Sequence, residues 1–494
     1  MNMISKSSFF RGMQCPKSLW LHFNQPEERD DISQAQQQIF DTGHNVGFLA
    51  QQLFPGGVDA SRDEHEKIQE AVSYTAALIA DGQNVIYEAA FSDGETLCYM
   101  DILVREADGW AAYEVKASTQ VKDYQVKDVA FQYYVITRSG LQLKRISLVH
   151  LNNQYVRNGE IDLHELFAIE PMTKRILPLQ ASIPSNVKDL QHALAKISAP
   201  VISIGRQCSN PFDCDFMCHC WNGIPEYAIF NLSRIGQKAF GLYEGGIIDT
   251  VDIPDDYPLS ATQQIQVNTD QTGTPHCDRD AIRRFLEKIT SPLYFLDFET
   301  IMPAIPMLDG TRPYQQIPFQ YSLHYLEHPN AELKHFEFLA DTGSITDPRP
   351  ALIRQLTREL GSQGMILAYN KGFEAARLRE MAAAFPEFEG VLLSIEARLF
   401  DLMTPFQQSW YYDPKMQGSY SIKEVLPALC PDHSYSGLEV KDGGTASLSF
   451  MQLYYENDQE KVKATRKALL DYCQMDTMAM VKILSKIKTI SYGI

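Results

Sequence analysis

Apolar positions from residue 5 to about 81 fall at helical spacing. Residues 5–22 place Phe9, Phe10, Met13, Leu19, Trp20 and Leu21 on one side, with Ser5 or Ser7 able to cap and Pro16 interrupting. Residues 31–53 repeat the pattern through Ile32, Ile39, Val46, Leu49 and Leu53 and stop at Pro55-Gly56-Gly57. Residues 63–81 predict a third helix. The period then shortens to two. Stretches 85–91, 96–105 and 110–116, separated by Ser92-Asp93-Gly94 and Ala107-Asp108-Gly109, predict a meander of three strands. A helix over 121–137 and a strand over 145–152 follow. After a helix near 187–197 come short helices at 235–243 and 260–267, then Asn268–Pro275, the most linker-like stretch. Strand spacing resumes at 291–300, with further strands at 320–327 and 333–339, a helix at 349–361 and a buried strand from Met365 into another helix. Gly418–Pro427 predicts a helix capped by Ser419 and stopped by Pro427, and 469–477 lies on a last long helix. This order predicts an α/β protein in three parts, 1–222, a helical connector over 223–290, and 291–494.

Acids break the apolar strands at defined places. Asp101 lies mid-strand, and Glu114 and Lys116, two apart on the next strand, share a face while Val115 points away. Two carboxylates on adjacent strands can share Mg²⁺, and a neighbouring lysine can orient water on a phosphodiester. Asp297 and Glu299 likewise share one face, a costly arrangement unless cations compensate. Glu374 falls in the first turn of a later helix, Asp401 follows Arg398-Leu399-Phe400, and Tyr472 and Asp476 are four apart on the final helix.

Composition changes this picture in two ways. The chain has 494 residues and no apolar run near the ~20 that span a bilayer, and its start is too polar for a secretory signal. We therefore expect a cytoplasmic protein with no membrane partner, in which clustered cysteines indicate metal rather than disulfides. Four of the nine cysteines, Cys208, Cys214, Cys218 and Cys220, share one turn-rich loop, and Cys15 stands near the N-terminus. Such a set suits an iron–sulfur or metal centre tying a domain's end to its beginning. The net charge of −18 argues against a broad electrostatic grip on nucleic acid, so affinity would come from narrow grooves and bound cations.

Asp101, Glu114-Val115-Lys116 and the cysteines together resemble the PD-(D/E)xK nucleases, in the RecB-like branch with an AddB-type iron–sulfur cluster. The resemblance implies a restriction-endonuclease-like core and a 4Fe–4S cluster on Cys15, Cys208, Cys214 and Cys220. It also implies a helical histidine metal ligand, matched by His44, and a polar helix after the lysine, matched by Tyr124, Gln125, Asp128, Gln132, Tyr133 and Tyr134. Gaps of five, three and one residues between the late cysteines differ from the branch's usual Cys-x2-Cys pair. A place for Cys218 or His219 stays open, and zinc is the alternative for the same thiolates.

Residues 291–494 resemble DnaQ-like (DEDD) 3′–5′ exonucleases of the RNase H-like fold. Asp297 and Glu299 match the first motif, Asn370-x-x-Phe373-Glu374 the second, and Tyr472-x3-Asp476 the third. The family has Asp where this chain has Glu374, and Asp401 is the alternative acid. This half is also similar to an uncharacterised bacterial domain family found fused behind RecB-like modules. The resemblances imply an enzyme, a nuclease using Mg²⁺ or Mn²⁺ with DNA, single-stranded or at ends, as favoured partner. The alternative is a nucleic-acid-binding scaffold with degenerate sites, in DNA repair or anti-phage defence. Electron transfer finds no Gly-rich dinucleotide or flavin loop to support it.

Overall fold

The computed structural model describes residues 3–61 and 68–493. It divides into two compact units, Met1–Gly223 with Ala304–Tyr314, and Ile224–Pro303 with Gln315–Ile494.

In the first unit, α1 (Lys6–Gln14) and α2 (Pro16–Asn24) form the entry, Ser5 capping the first and Pro16 starting the second. Then come α3 (Gln34–Gln51) and α4 (Ile68–Ala80). Residues 63–67 of the third expected helix lie outside the described residues. Strands β1 (Ile4–Ser5), β2 (Val58–Asp59), β3 (Val85–Ser92), β4 (Thr96–Glu106), β5 (Gly109–Lys116), β6 (Leu143–Leu151) and β7 (Phe167–Pro171) build one mixed sheet. Their order is β2-β3-β4-β5-β6-β7, with β1 beside β4. Strands β3 to β5 are an antiparallel meander, and β6 returns parallel to β5 because α5 (Asp123–Arg138) carries the chain back. Alternation sends Leu103 and Ala112 into a core with Phe9, Phe131 and, from α6 (Ile183–Leu194), Leu190. Ile102, Ala111 and Tyr113 face the other way, against Val46 and Ala50 of α3 and Ala304, Ile305 and Tyr314 of the inserted segment.

Helix α3 corrects one expectation. Ile32 and Ile39, expected on its apolar side, are exposed, because only the second half of the helix, at Val46 and Ala50, reaches the sheet.

The second unit begins with α7 (Gln237–Glu244), α8 (Ala261–Thr272), β8 (His276–Cys277) and α9 (Arg279–Leu286). Ile229, Leu232, Leu242, Ile253 and Val267 give this region its own cluster, and it groups with the rest of the unit. The linker expected at Asn268–Pro275 is a correction: helix α8 continues to Thr272. Thr269 and Thr272 donate their hydroxyls to the carbonyls four residues back, and Gly273, at φ 65°, ends the helix in the left-handed conformation.

Strands β9 (Leu293–Ile301), β10 (Ile317–Leu326), β11 (Lys334–Leu339), β12 (Met365–Ala368) and β13 (Leu399–Asp401) form a sheet in the order β11-β10-β9-β12-β13; β14 (Tyr411–Tyr412) pairs with β8. Central β9 runs antiparallel to β10 and parallel to β12. Leu296 and Phe298 enter a core with α10 (Arg349–Glu359) and α11 (Gly372–Ala384), through Leu352, Leu356, Leu378 and Met381. Alternation turns Asp297 and Glu299 to the other face. The last three helices of the unit are α12 (Ile422–Leu429), α13 (Gly443–Leu453) and α14 (Gln459–Tyr492). Pro427 does not stop α12 as expected, and Ser421 rather than Ser419 caps it. In so short a helix the proline forfeits one bond, to Lys423, and the chain turns only at Cys430. No helix among the described residues is long and apolar enough to cross a membrane.

Candidate active sites and a candidate metal clasp

In the first unit β4 and β5 pair as far as Ile102 and Tyr113 and then part. Asp101 fills the opening, its Oδ2 accepting the Val115 N–H at 2.5 Å. Glu114 lies on the α5 side of the sheet and is 1% exposed. Its Oε1 takes Lys116 Nζ at 2.5 Å and Lys6 Nζ at 2.8 Å, and its Oε2 takes Gln132 Nε2 at 2.6 Å. Lys116 also reaches Asp128 Oδ2 at 2.6 Å, and Lys6 lies 3.7 Å from Asp128 Oδ1. Asp128 and Gln132 are one turn apart on α5, as expected; each keeps one buried oxygen, Oδ1 and Oε1, without a hydrogen bond. Gln125 instead caps the start of α5, accepting from Lys122 N and donating to Ser118.

The charges pull in two directions. Burial alone would raise the Glu114 carboxyl, but Lys116 and Lys6 outweigh it and hold the group below the carboxylate range. Burial and the Glu114 charge push Asp101 well above that range. Glu88 is a further acid. Tyr87 pairs with Ile102 and Ala89 with Met100, so Glu88 stands opposite Asp101, at φ 52° in the left-handed region. Burial, with Glu114 and Asp59, raises its carboxyl to about 7. His44 is exposed on α3, and among the described residues no hydrogen bond or ion pair links it to these acids.

Cys15, Cys208, Cys214 and Cys220 line one pocket, with Ile202, Ile204, Phe216 and Met217 as its apolar wall. Cys218 is exposed and not part of it; its N–H points to Asp30. His219 pairs with Glu28 at 3.0 Å. The loop is also sewn to the entry helices without any sulfur. Arg11 binds Asp215 in a fork, Gln14 donates to the carbonyls of Gln207 and Phe212, and Met217 N–H meets Asp30 at 2.8 Å. Trp20, Leu21 and Phe216 close the apolar side.

In the second unit, Asp297, Glu299 and Cys473 bring one ligand atom each within 4.8 Å of one another. Cys473, on α14, donates its thiol to Asp297 Oδ2 at 3.6 Å. Asp476, one turn on, bonds with Tyr472 and accepts the Tyr435 hydroxyl at 2.7 Å. Lys423 Nζ sits over the rings of Tyr472 and Tyr435, at 5.6 Å and 5.9 Å. Glu374 is 2% exposed, and its Oε2 has no hydrogen-bond partner. Burial first, then Asp476, pushes Asp297 and Glu299 well up; Glu374 rises to about 8 and Asp476 to about 6. Asp401, at the end of β13, accepts the N–H groups of Asn370 and Met403 and so shapes the turn before Glu374.

Sequence reasoning thus pointed to Asp101, Glu114, Lys116, Asp297, Glu299, Glu374, Tyr472 and Asp476, and missed Lys6, Glu88, Tyr435 and Cys473. Glu88 carried the same signal as Asp101, an acid breaking an apolar strand. Lys6, 108 residues from Glu114, carried none.

Residues 294–421 match the family model of a domain of unknown function, DUF2779, a span that includes Asp297, Glu299, Glu374 and Asp401 and stops before α14. An uncharacterized protein of Ureaplasma parvum is 28% identical over 221 residues, 40% of this chain and 31% of that protein. One of Mycoplasma pneumoniae is 28% identical over 213 residues, 40% of this chain and 32% of that protein. The match spans about a third of the length of these relatives.

Proposed function

We propose that the chain is a divalent-metal-dependent nuclease with two hydrolytic sites, a RecB-like PD-(D/E)xK site in the first unit and a DEDD-type exonuclease site in an RNase H-like second unit. The observation that carries this reading is the second unit's acidic cluster. Asp297, Glu299, Glu374 and Asp476 act on one another with few cations to offset them, Lys423 at Glu299 and Asp476 and Arg377 at Glu374, and the buried Glu374 Oε2 has no hydrogen-bond partner. A fold tolerates such a group when cations complete it. Asp101 and Glu114 would hold a cation in the first unit, and Asp297, Glu299, Glu374 and Asp476 would hold cations in the second. Mg²⁺ or Mn²⁺, when bound, supplies Lewis-acid stabilisation of charge on a phosphodiester.

The chain's own residues do the rest. Lys116 holds Glu114 ionised, pairs with Asp128 and offers its ammonium to water or phosphate in the cleft. Tyr472, bonded to Asp476, positions the attacking water, and Tyr435 fixes the other side of that carboxylate. Single-stranded or terminal DNA fits a strongly acidic protein better than a long duplex, whose grip needs many cations.

Cys15, Cys208, Cys214 and Cys220, which line one pocket, would hold a 4Fe–4S cluster, with zinc as the alternative for the same thiolates.

The test is cleavage of single- and double-stranded DNA by the full chain with Mg²⁺ or Mn²⁺, alongside Lys116→Ala, Asp297→Ala and the double variant. Each single variant should lose one activity, and the double variant both. A folded double variant that cleaves at the parental rate overturns the reading.

A further inference from the structure

Lys6 is the one component of the first unit's site that comes from the chain's entry, and its backbone is pinned. Ile4 and Ser5 pair with Thr96 and Leu97, Ile4 N–H meets Glu95 O at 2.9 Å, and the Ser5 side chain caps the helix that Lys6 begins. The ammonium is thereby delivered to Glu114 and Asp128 rather than left to wander on a flexible terminus.

What it does there follows from counting acceptors. Both lone-pair directions of Glu114 Oε1 are taken by ammonium groups, and one on Oε2 is taken by Gln132. Asp128 faces the same two ammonium groups, while Asp101 and Glu88 have no ion pair among the described residues. Four carboxylates, Glu88, Asp101, Glu114 and Asp128, against two lysines leave a formal charge matched by one divalent ion. The oxygens open to that ion are Asp101 Oδ1, since Oδ2 already accepts the Val115 N–H, those of Glu88, the remaining face of Glu114 Oε2, and the buried, unbonded Gln132 Oε1.

We propose that Lys6 is a tethered counter-ion standing at Glu114 and Asp128 where a second divalent cation would otherwise bind, so that this site takes one divalent cation rather than two. The inference rests on the reading of the first unit as a metal site. It assigns Lys6 as a positioning residue, not a catalytic one. Glu88 completes the coordination of the single ion beside Asp101.

Calorimetric titration with Mn²⁺ tests it. The full chain would carry Asp297→Ala and Asp476→Ala, so that only the first unit's site reports. The Lys6 protein should bind one equivalent. Lys6→Ala should bind two, and Lys6→Arg, which keeps the charge, should return to one. Circular dichroism of each variant checks that it is folded. One equivalent in Lys6→Ala, at unchanged affinity, overturns the counter-ion role and leaves the metal site standing. Two equivalents in the Lys6 protein do the same. No Mn²⁺ bound by any folded variant overturns both the role and the metal reading on which it rests.

Discussion

In the first unit the central carboxylate, Glu114, is clamped between two lysines; in the second, Asp297 and Glu299 face Asp476 and Glu374, offset by Lys423 and, at Glu374, by Arg377 without a direct ion pair. Both clusters are buried on one face of a mixed sheet, so the difference lies in where the neutralising charge comes from. The first carries most of it in its own side chains and keeps Glu114 ionised. The second carries little and answers by taking up protons, with Glu374 and Asp476 raised to about 8 and about 6. A cluster of the first kind is held together by its charges; one of the second kind is strained by them until cations arrive.

Removing one acid from each should therefore act in opposite directions, and this is the largest effect expected. Asp297→Ala should abolish cleavage by the second unit, roughly a 10³-fold loss or more. It should leave metal-free thermal stability unchanged or higher, because like-charge repulsion is relieved. Adding Mn²⁺ should then stabilise the parent more than the variant. Glu114→Ala should do the reverse without metal. It leaves Lys6 and Lys116 sharing the one carboxylate of Asp128, so stability should fall, read from urea unfolding. Equal signs for the two variants would break the comparison.

A smaller effect separates chemistry from charge. Tyr472→Phe keeps every carboxylate, so Mn²⁺-induced stabilisation should persist while cleavage slows about 10²-fold. Loss of the metal-induced shift would mean that Tyr472 shapes the cluster itself.

The smallest effect is in pH. Glu374 has an ordinary value of 4.5 and ionises near 8 when folded, so its contribution to stability is full below about 4.5 and is lost as pH rises through 8. Glu114 is depressed, so its contribution is present above its unfolded value and is lost only in acid. Metal-free urea midpoints of the full chain should fall from pH 5 to 8, and Glu374→Gln should flatten that fall. A slope unchanged by the substitution would place the titration elsewhere, at Glu88 or Asp101 among others.

The strands were legible because both sheets are covered on two faces and their side chains alternate. Glu114, Lys116, Asp297 and Glu299 could be placed on a face by counting, and Tyr472 with Asp476 by the helical turn. The residues that escaped are those fixed by distance along the chain or by unusual backbone. Lys6 depends on a two-residue strand, β1, too short to show a period. Tyr435 reaches Asp476 from a loop 41 residues away. Glu88 was visible as an acid in an apolar run, but not its left-handed turn towards the cleft. At Asn268–Pro275 polar composition suggested a linker, yet hydroxyl bonds to the backbone kept Thr269 and Thr272 in the helix.

The segment Ala304–Tyr314 has a consequence for how the protein is made. It belongs to the first unit, where Ala304, Ile305 and Tyr314 pack with Tyr113 and Leu151, and Arg157 binds the carbonyls of Pro306 and Met307. A ribosome working from the N-terminus completes Gly223 long before it reaches Tyr314. The nascent first unit must wait, with part of that side of its sheet uncovered beside α3, while the opening part of the second is synthesised. Neither unit is a contiguous stretch of message, so a stop codon placed between them would release a fragment lacking a piece of its own core.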